Sequence, residues 1–104
     1  MRNLVITAVL LAAAVAAWAQ SRDALVARGQ AAFKSNGCYG CHMIGNFGTP
    51  IGPDLSQVGR KYSLEYLARW LRDPAMQRPS AHMPALELSD DDVRALAVYL
   101  GSLR

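Results

Sequence analysis

Apolar residues are spaced along this chain in distinct ways, and each spacing predicts a different element. From Leu4 to Ala17 they form a run broken only by Thr7. Further on, Leu25, Val26, Gly29, Ala32 and Phe33 fall on one helical face. That stripe predicts a helix from about Ser21 to Asn36, with Ser21 or Asp23 as its cap, Lys34 in the last turn and Asn36-Gly37 as its stop. A second stripe, Leu64, Leu67, Trp70 and Leu71, predicts a helix from Ser63 to Asp73, with Glu65, Arg69 and Arg72 turned outward. Ser63 is its expected N-cap and Pro74 its stop. The third stripe, Val93, Leu96, Ala97 and Leu100, is widened by Tyr99 and Leu103. It predicts a helix from Asp90 to about Leu103, capped by Ser89 and carrying three aspartates at its positive end. Nothing alternates as a strand would, so the pattern is that of an all-α chain with three main helices.

Between the helices the pattern is lost. Gly45, Gly48, Pro50, Gly52, Pro53 and Gly59 punctuate Met43 to Tyr62 too densely for a long helix or strand. Ala75 to Leu88 is a second irregular segment, bounded and broken by Pro74, Pro79 and Pro84. Gly29 stands out inside the first stripe. It weakens an isolated helix by about 1 kcal/mol relative to alanine, so either it is merely tolerated or another helix crosses closely there.

The leading apolar run reads as a targeting segment. Met1-Arg2-Asn3 is a short positive start, and Ala17-Trp18-Ala19 is a small-x-small cleavage signal. The run is short for a membrane span, which needs about 20 apolar residues. Residues 1–19 are therefore expected to be a cleaved secretory signal, with an uncleaved anchor as the alternative, and residues 20–104 to form one domain. A domain of that size needs a staple to complete its core. Cleavage would remove Arg2 and lower the formal charge from +3 to +2. No basic run or series of stacking aromatics points to nucleic acid.

The chemistry concentrates in Cys38-Tyr39-Gly40-Cys41-His42. A C-x-x-C-H run reads as a covalent attachment site for c-type haem. Two thiols three positions apart on a helical turn share a side and can add to the two vinyl groups of one porphyrin. The adjacent histidine is then brought under the iron, and Gly40 leaves room for a flat macrocycle. A zinc site would need Cys38, Cys41, His42 and His82, but the adjacent Cys41 and His42 can hardly face one tetrahedral metal. A thioredoxin-like motif would need a βαβ setting, and a plain disulfide would leave His42 unexplained.

Two loop segments bear on that site. Gly52-Pro53 is either an ordinary turn or a rigid one whose Pro53 carbonyl accepts from the free ring N–H of His42. A thioether is a soft ligand suited to haem iron opposite a histidine, which brings in the methionines. Met83 is held extended by Pro84, whereas Met43 adjoins His42 and Met76 reads better as a packing residue. His82 could serve in place of Met83, but extended neighbours point in opposite directions, so only one of them can.

Taken together, the residues from Gln20 onward resemble a class I c-type cytochrome of the small bacterial monohaem kind. The resemblance rests on Gly29 and Phe33, Cys38/Cys41/His42, Gly52-Pro53-Asp54-Leu55, Tyr66 to Pro74, Met83-Pro84, and Leu96 with Tyr99-Leu100. It implies a cytochrome c fold of three main helices and loops wrapped around one covalently bound haem. It sets Gly29 and Phe33 against Leu96, Tyr99 and Leu100 where the first and last helices cross. It makes His42 the proximal ligand, Met83 the distal one and the Pro53 carbonyl the partner of His42. Arg60, Tyr62 and Trp70 occupy places where the family often meets haem propionates. His82 beside Met83 departs from the pattern. So does the scarcity of lysine, with only Lys34 and Lys61, which leaves no lysine ring for docking.

The function implied is one-electron transfer in the periplasm, by a monomer, between a donor dehydrogenase or reductase and an acceptor oxidase or reductase. No nucleophile with a base, and no paired acid and base, suggests an enzyme. A six-coordinate iron would leave no place for a small-molecule substrate. Two other classes remain: a fixed haem subunit of a dehydrogenase, sulfur-oxidising or oxidase complex, and a ligand sensor or peroxidase with an open distal site.

Overall fold

The computed structural model describes residues 2–104. The first helix, α1, runs unbroken from Arg2 to Ser35, where the sequence pattern suggested an apolar run and a separate helix starting near Ser21. The reason is local. From Leu4 to Arg28 there is neither glycine nor proline, so nothing interrupts the backbone ladder and the alanine-rich sequence favours it. The two halves still differ in packing. Every described side chain up to Ala24 is exposed, while Gly29, Ala32 and Phe33 are buried. The free half makes the molecule 62 Å long and only 29 by 23 Å across.

The punctuated loop folds more than its spacing suggested. Two two-residue strands, β1 (Met43–Ile44) and β2 (Phe47–Gly48), pair antiparallel, Met43 opposite Gly48 and Ile44 opposite Phe47. A single helical turn, α2, covers Val58–Lys61. Elements this short have no period to read. The second stripe forms α3 (Leu64–Arg72), where the Ser63 hydroxyl accepts from the Tyr66 N–H at 3.1 Å. Asp73 ends α3 and caps a further turn, α4 (Pro74–Gln77), which Pro74 opens at its first position. The last helix, α5 (Asp90–Gly101), begins with the Ser89 hydroxyl accepting from the Asp92 N–H at 3.1 Å. As expected from the pattern, the chain is predominantly helical.

The core lies where α1 and α3 pack on α5. It comprises Ala32, Phe33, Val58, Leu67, Leu71, Val93, Leu96, Ala97, Tyr99 and Leu100. Gly29 sits at the α1–α5 contact, and a Cβ there would run into the Ala95 carbonyl and lie 2.5 Å from the Tyr99 Cβ. Phe33 meets Tyr39 edge-on at 4.7 Å between ring centroids and Tyr99 at 6.0 Å. Burial, with Tyr39 beside it, pushes the Tyr99 phenol up to about 12, so it stays neutral in the core at ordinary pH. Arg28 pairs with Asp92 at 3.3 Å and Arg72 with Asp90 at 2.6 Å. Both pairs tie a neighbouring helix to the start of α5, but they are exposed and contribute little stability.

Candidate functional site

Gly37, in the left-handed region at φ 74°, ends α1 and turns the chain into a 3-10 turn over Cys38–Gly40. The Cys38 carbonyl accepts from the N–H of Cys41 at 3.2 Å and from that of His42 at 3.0 Å. Both cysteines are free thiols; Cys38 is half-buried against the core and Cys41 is exposed. Burial pushes the Cys38 thiol up from its ordinary range, which keeps it protonated near neutral pH.

His42 is fixed by the loop that follows. Its Nδ1 lies 2.8 Å from the Pro53 carbonyl oxygen. A carbonyl only accepts, so Nδ1 donates, and in the neutral ring this leaves the lone pair on Nε2. Gly52 packs directly on the ring: a Cβ at this position would lie 2.7 Å from Cε1 and 3.0 Å from Nδ1. The loop is laced to the cysteine segment by three hydrogen bonds. The Gly52 N–H donates to the Cys41 carbonyl at 2.5 Å, the Leu55 N–H to that of Met43 at 2.9 Å, and the Gly45 N–H to the Ser56 hydroxyl at 2.8 Å. The Asp54 carboxylate accepts from the Ser56 N–H at 2.8 Å, and that local bonding to Ser56 lowers its pKa.

The second candidate ligand comes from the segment before α5. Met83 is half-buried and packs against the core, while His82 is exposed. The Trp70 indole N–H donates to the Met83 Sδ at 3.2 Å. Trp70 thus lies beside the Met83 sulfur. Arg60 is exposed on α2, and Tyr62 is exposed just after it and stacks on Tyr66. Met76, read from sequence as a packing residue, is instead 77% exposed on α4. The short turn opened by Pro74 turns it to solvent.

The structure therefore joins His42 to Pro53 and Met83 to Trp70, and leaves Arg60 and His82 at the surface. Sequence reasoning missed Gly52 as the residue against the His42 ring. Its signal was present, since Gly52-Pro53 was legible as a turn, but a turn does not reveal what its concave side covers. Among the described residues no group of three or more His, Cys, Asp or Glu is placed to hold a metal ion. What the site does present is a nitrogen lone pair on a fixed imidazole, a soft sulfur, and two thiols on one turn. That donor set suits a haem and no ordinary hard cation.

Comparison with known proteins bears on the same conclusion. The pattern of the Cytochrome c family matches residues 26–104. Cytochrome c oxidase subunit 2 of Alkalihalophilus pseudofirmus is 34% identical over 91 residues, covering 79% of this chain and 27% of that protein. The chain thus spans about a quarter of the length of the curated relative it matches. With most of the chain matched, from the second half of α1 to the last residue, it belongs to the cytochrome c family, whose work is haem-based electron transfer.

Proposed function

We propose that the chain is an exported one-electron carrier with a single haem c. Thioethers at Cys38 and Cys41 tie the haem, and His42 and Met83 ligate its iron. The carrying observation is the 2.8 Å contact between His42 Nδ1 and the Pro53 carbonyl. It directs the Nε2 lone pair away from the loop and makes the ring a more basic ligand. When bound, the haem supplies an iron centre that takes up and gives back one electron. The protein does the rest. His42 donates from a ring that Gly52 and Pro53 keep from turning. Met83 offers a sulfur whose softness favours the reduced metal, and Trp70 orients it. Leu67, Leu71 and Leu96 exclude water from the core beside it. The chain acts as a monomer on protein redox partners and has no substrate chemistry of its own.

Export is supported by the N-terminal half of α1. The helix is long and apolar enough to cross a membrane, and none of its most apolar stretch is buried. A helix of that kind is either a signal or an anchor. Cleavage after Ala19 delivers the domain to the periplasm, and N-terminal sequencing of the exported protein then starts at Gln20. Recovery of an intact N terminus from the membrane fraction would make it an anchored carrier.

The central test is mass spectrometry of acid-denatured holoprotein, which should retain the mass of one haem. Haem that extracts into acidified organic solvent would end this reading. The oxidised protein should also show the weak red band of sulfur-to-iron charge transfer. Met83→Ala should abolish it and lower the potential, whereas His82→Ala should leave it.

A second reading has its own support, because the curated relative is an oxidase subunit and this chain corresponds to a quarter of it. In that reading the chain is the fixed haem module of a larger oxidase-type complex. Co-purification with a larger subunit from the native membrane distinguishes it from a free carrier.

A further inference from the structure

The Pro53 carbonyl that meets His42 belongs to a loop, and three hydrogen bonds hold that loop to the segment carrying the histidine. Two of them join backbone to backbone, from the Gly52 N–H to the Cys41 carbonyl and from the Leu55 N–H to the Met43 carbonyl. Any residue except proline can supply such an N–H. The third depends on the identity of a side chain. The hydroxyl oxygen of Ser56, a half-buried residue, accepts from the Gly45 N–H at 2.8 Å.

Both ends of that bond are prepared for it. Gly45 and Asn46 are the two turn residues of the β1–β2 hairpin, whose closing pair is Ile44 with Phe47. The Gly45 N–H therefore lies outside the strand ladder. Its φ of 60° is in the left-handed region, which glycine enters without strain. On the other side, the Asp54 carboxylate accepts from the Ser56 N–H at 2.8 Å and from the Ser56 hydroxyl. A hydroxyl has one proton and two lone pairs, so Ser56 donates to Asp54 and accepts from Gly45 at once. Bonds in such a series strengthen one another. Neither Asp54 nor Ser56 is among the residues that attach or ligate the haem.

We propose that Ser56, oriented by Asp54, is a positioning residue for His42: it latches the loop to the hairpin and so keeps the Pro53 carbonyl against the His42 ring N–H. The proposal rests on the haem reading above. Pro53 has no N–H with which to fix its own place, so its carbonyl stands only where the flanking bonds put it. Without the latch, the chain after Pro53 loosens and the contact with Nδ1 opens more often. His42 then becomes a weaker donor, which favours the reduced metal.

The test uses reduced holoprotein labelled with nitrogen-15. Solvent exchange of the His42 Nδ1 proton is followed by nuclear magnetic resonance, and the reduction potential by titration. Ser56→Ala should exchange that proton severalfold faster and raise the potential, with the sulfur-to-iron band unchanged. Ser56→Thr, which keeps the hydroxyl, should restore both. Asp54→Ala should move both in the same direction as Ser56→Ala. The double variant should add little to either single change, since both break one latch. Asp54→Ala carries the test by the same two readings if Ser56→Ala does not accumulate. Exchange and potential as in the wild type, or a Ser56→Thr variant that behaves like Ser56→Ala, would overturn the proposal. If the wild type carries no thioether-bound haem, the reading of the site fails first and this proposal with it.

Discussion

Gly52 is the residue at which local backbone chemistry sets the site. Proline at 53 makes the turn rigid, and the glycine before it lets the loop lie on the imidazole of His42 with no side chain between them. A methyl group there cannot fit without pushing the ring or the loop away, which lengthens the contact from His42 Nδ1 to the Pro53 carbonyl. The hydrogen bond strengthens the histidine as a donor and so favours the oxidised metal. Gly52→Ala is therefore expected to raise the reduction potential and to lower the yield of holoprotein. Potentiometric titration measures the first and absorbance per polypeptide the second; a variant unchanged in both would show that the bond does not tune the site. At this scale much of the site was legible. Cys38, Cys41 and His42 announce themselves by spacing, and Met83 by its softness and the proline after it. The contact between Trp70 and Met83 was not legible, because an apolar stripe does not say which neighbour an indole N–H will meet.

Among the elements, α5 and α3 were the most legible, since each combines a strong apolar stripe with a serine cap, and α3 has a clear stop in Pro74. The boundaries that misled were those with no punctuation. Nothing between the first apolar run and the amphipathic stripe of α1 breaks a helix, so one helix spans both. The hairpin and α2 are held by tertiary bonds: the Gly59 N–H donates to the Leu103 carbonyl at 2.7 Å and the Leu55 N–H to that of Met43. Sequence pattern does not carry such bonds. Gly29 shows the opposite case, where a weak local choice reveals a strong tertiary one. The glycine costs helix propensity, but α5 approaches so closely that the Ala95 carbonyl occupies the space of a Cβ. Overpacking of a well-filled contact costs about 1–3 kcal/mol. Gly29→Ala should therefore destabilise the folded protein by that amount in chemical denaturation, despite its better propensity. A neutral or stabilised variant would mean that the two helices can move apart freely.

For the whole molecule, what matters is how it meets other redox proteins. Its formal charge is +3; cleavage after Ala19 would make it +2, and two haem propionates would offset that. The loop between His42 and Pro53 is instead apolar at its tips, where Phe47 is 76% and Ile51 74% exposed. Ile51 lies between two positions that the sequence marks as loop, Pro50 and Gly52. Phe47 was not singled out, because the hairpin that exposes it has no pattern in the sequence. Electron-transfer encounters are small, below about 1,200 Å², so two bulky apolar residues can dominate one. Strongly charged pairs lose association rate steeply with salt, whereas a near-neutral surface gives little steering to lose. The second-order rate of electron transfer with the native partner is therefore expected to vary only weakly between low and physiological salt. Phe47→Asp or Ile51→Asp should slow it more than Lys61→Ala does, with the spectrum of the site unchanged. Stopped-flow measurement over the salt series decides the matter. A rate that falls about tenfold across that range, with the charge variant worst, would place docking on the arginines and not on the apolar loop.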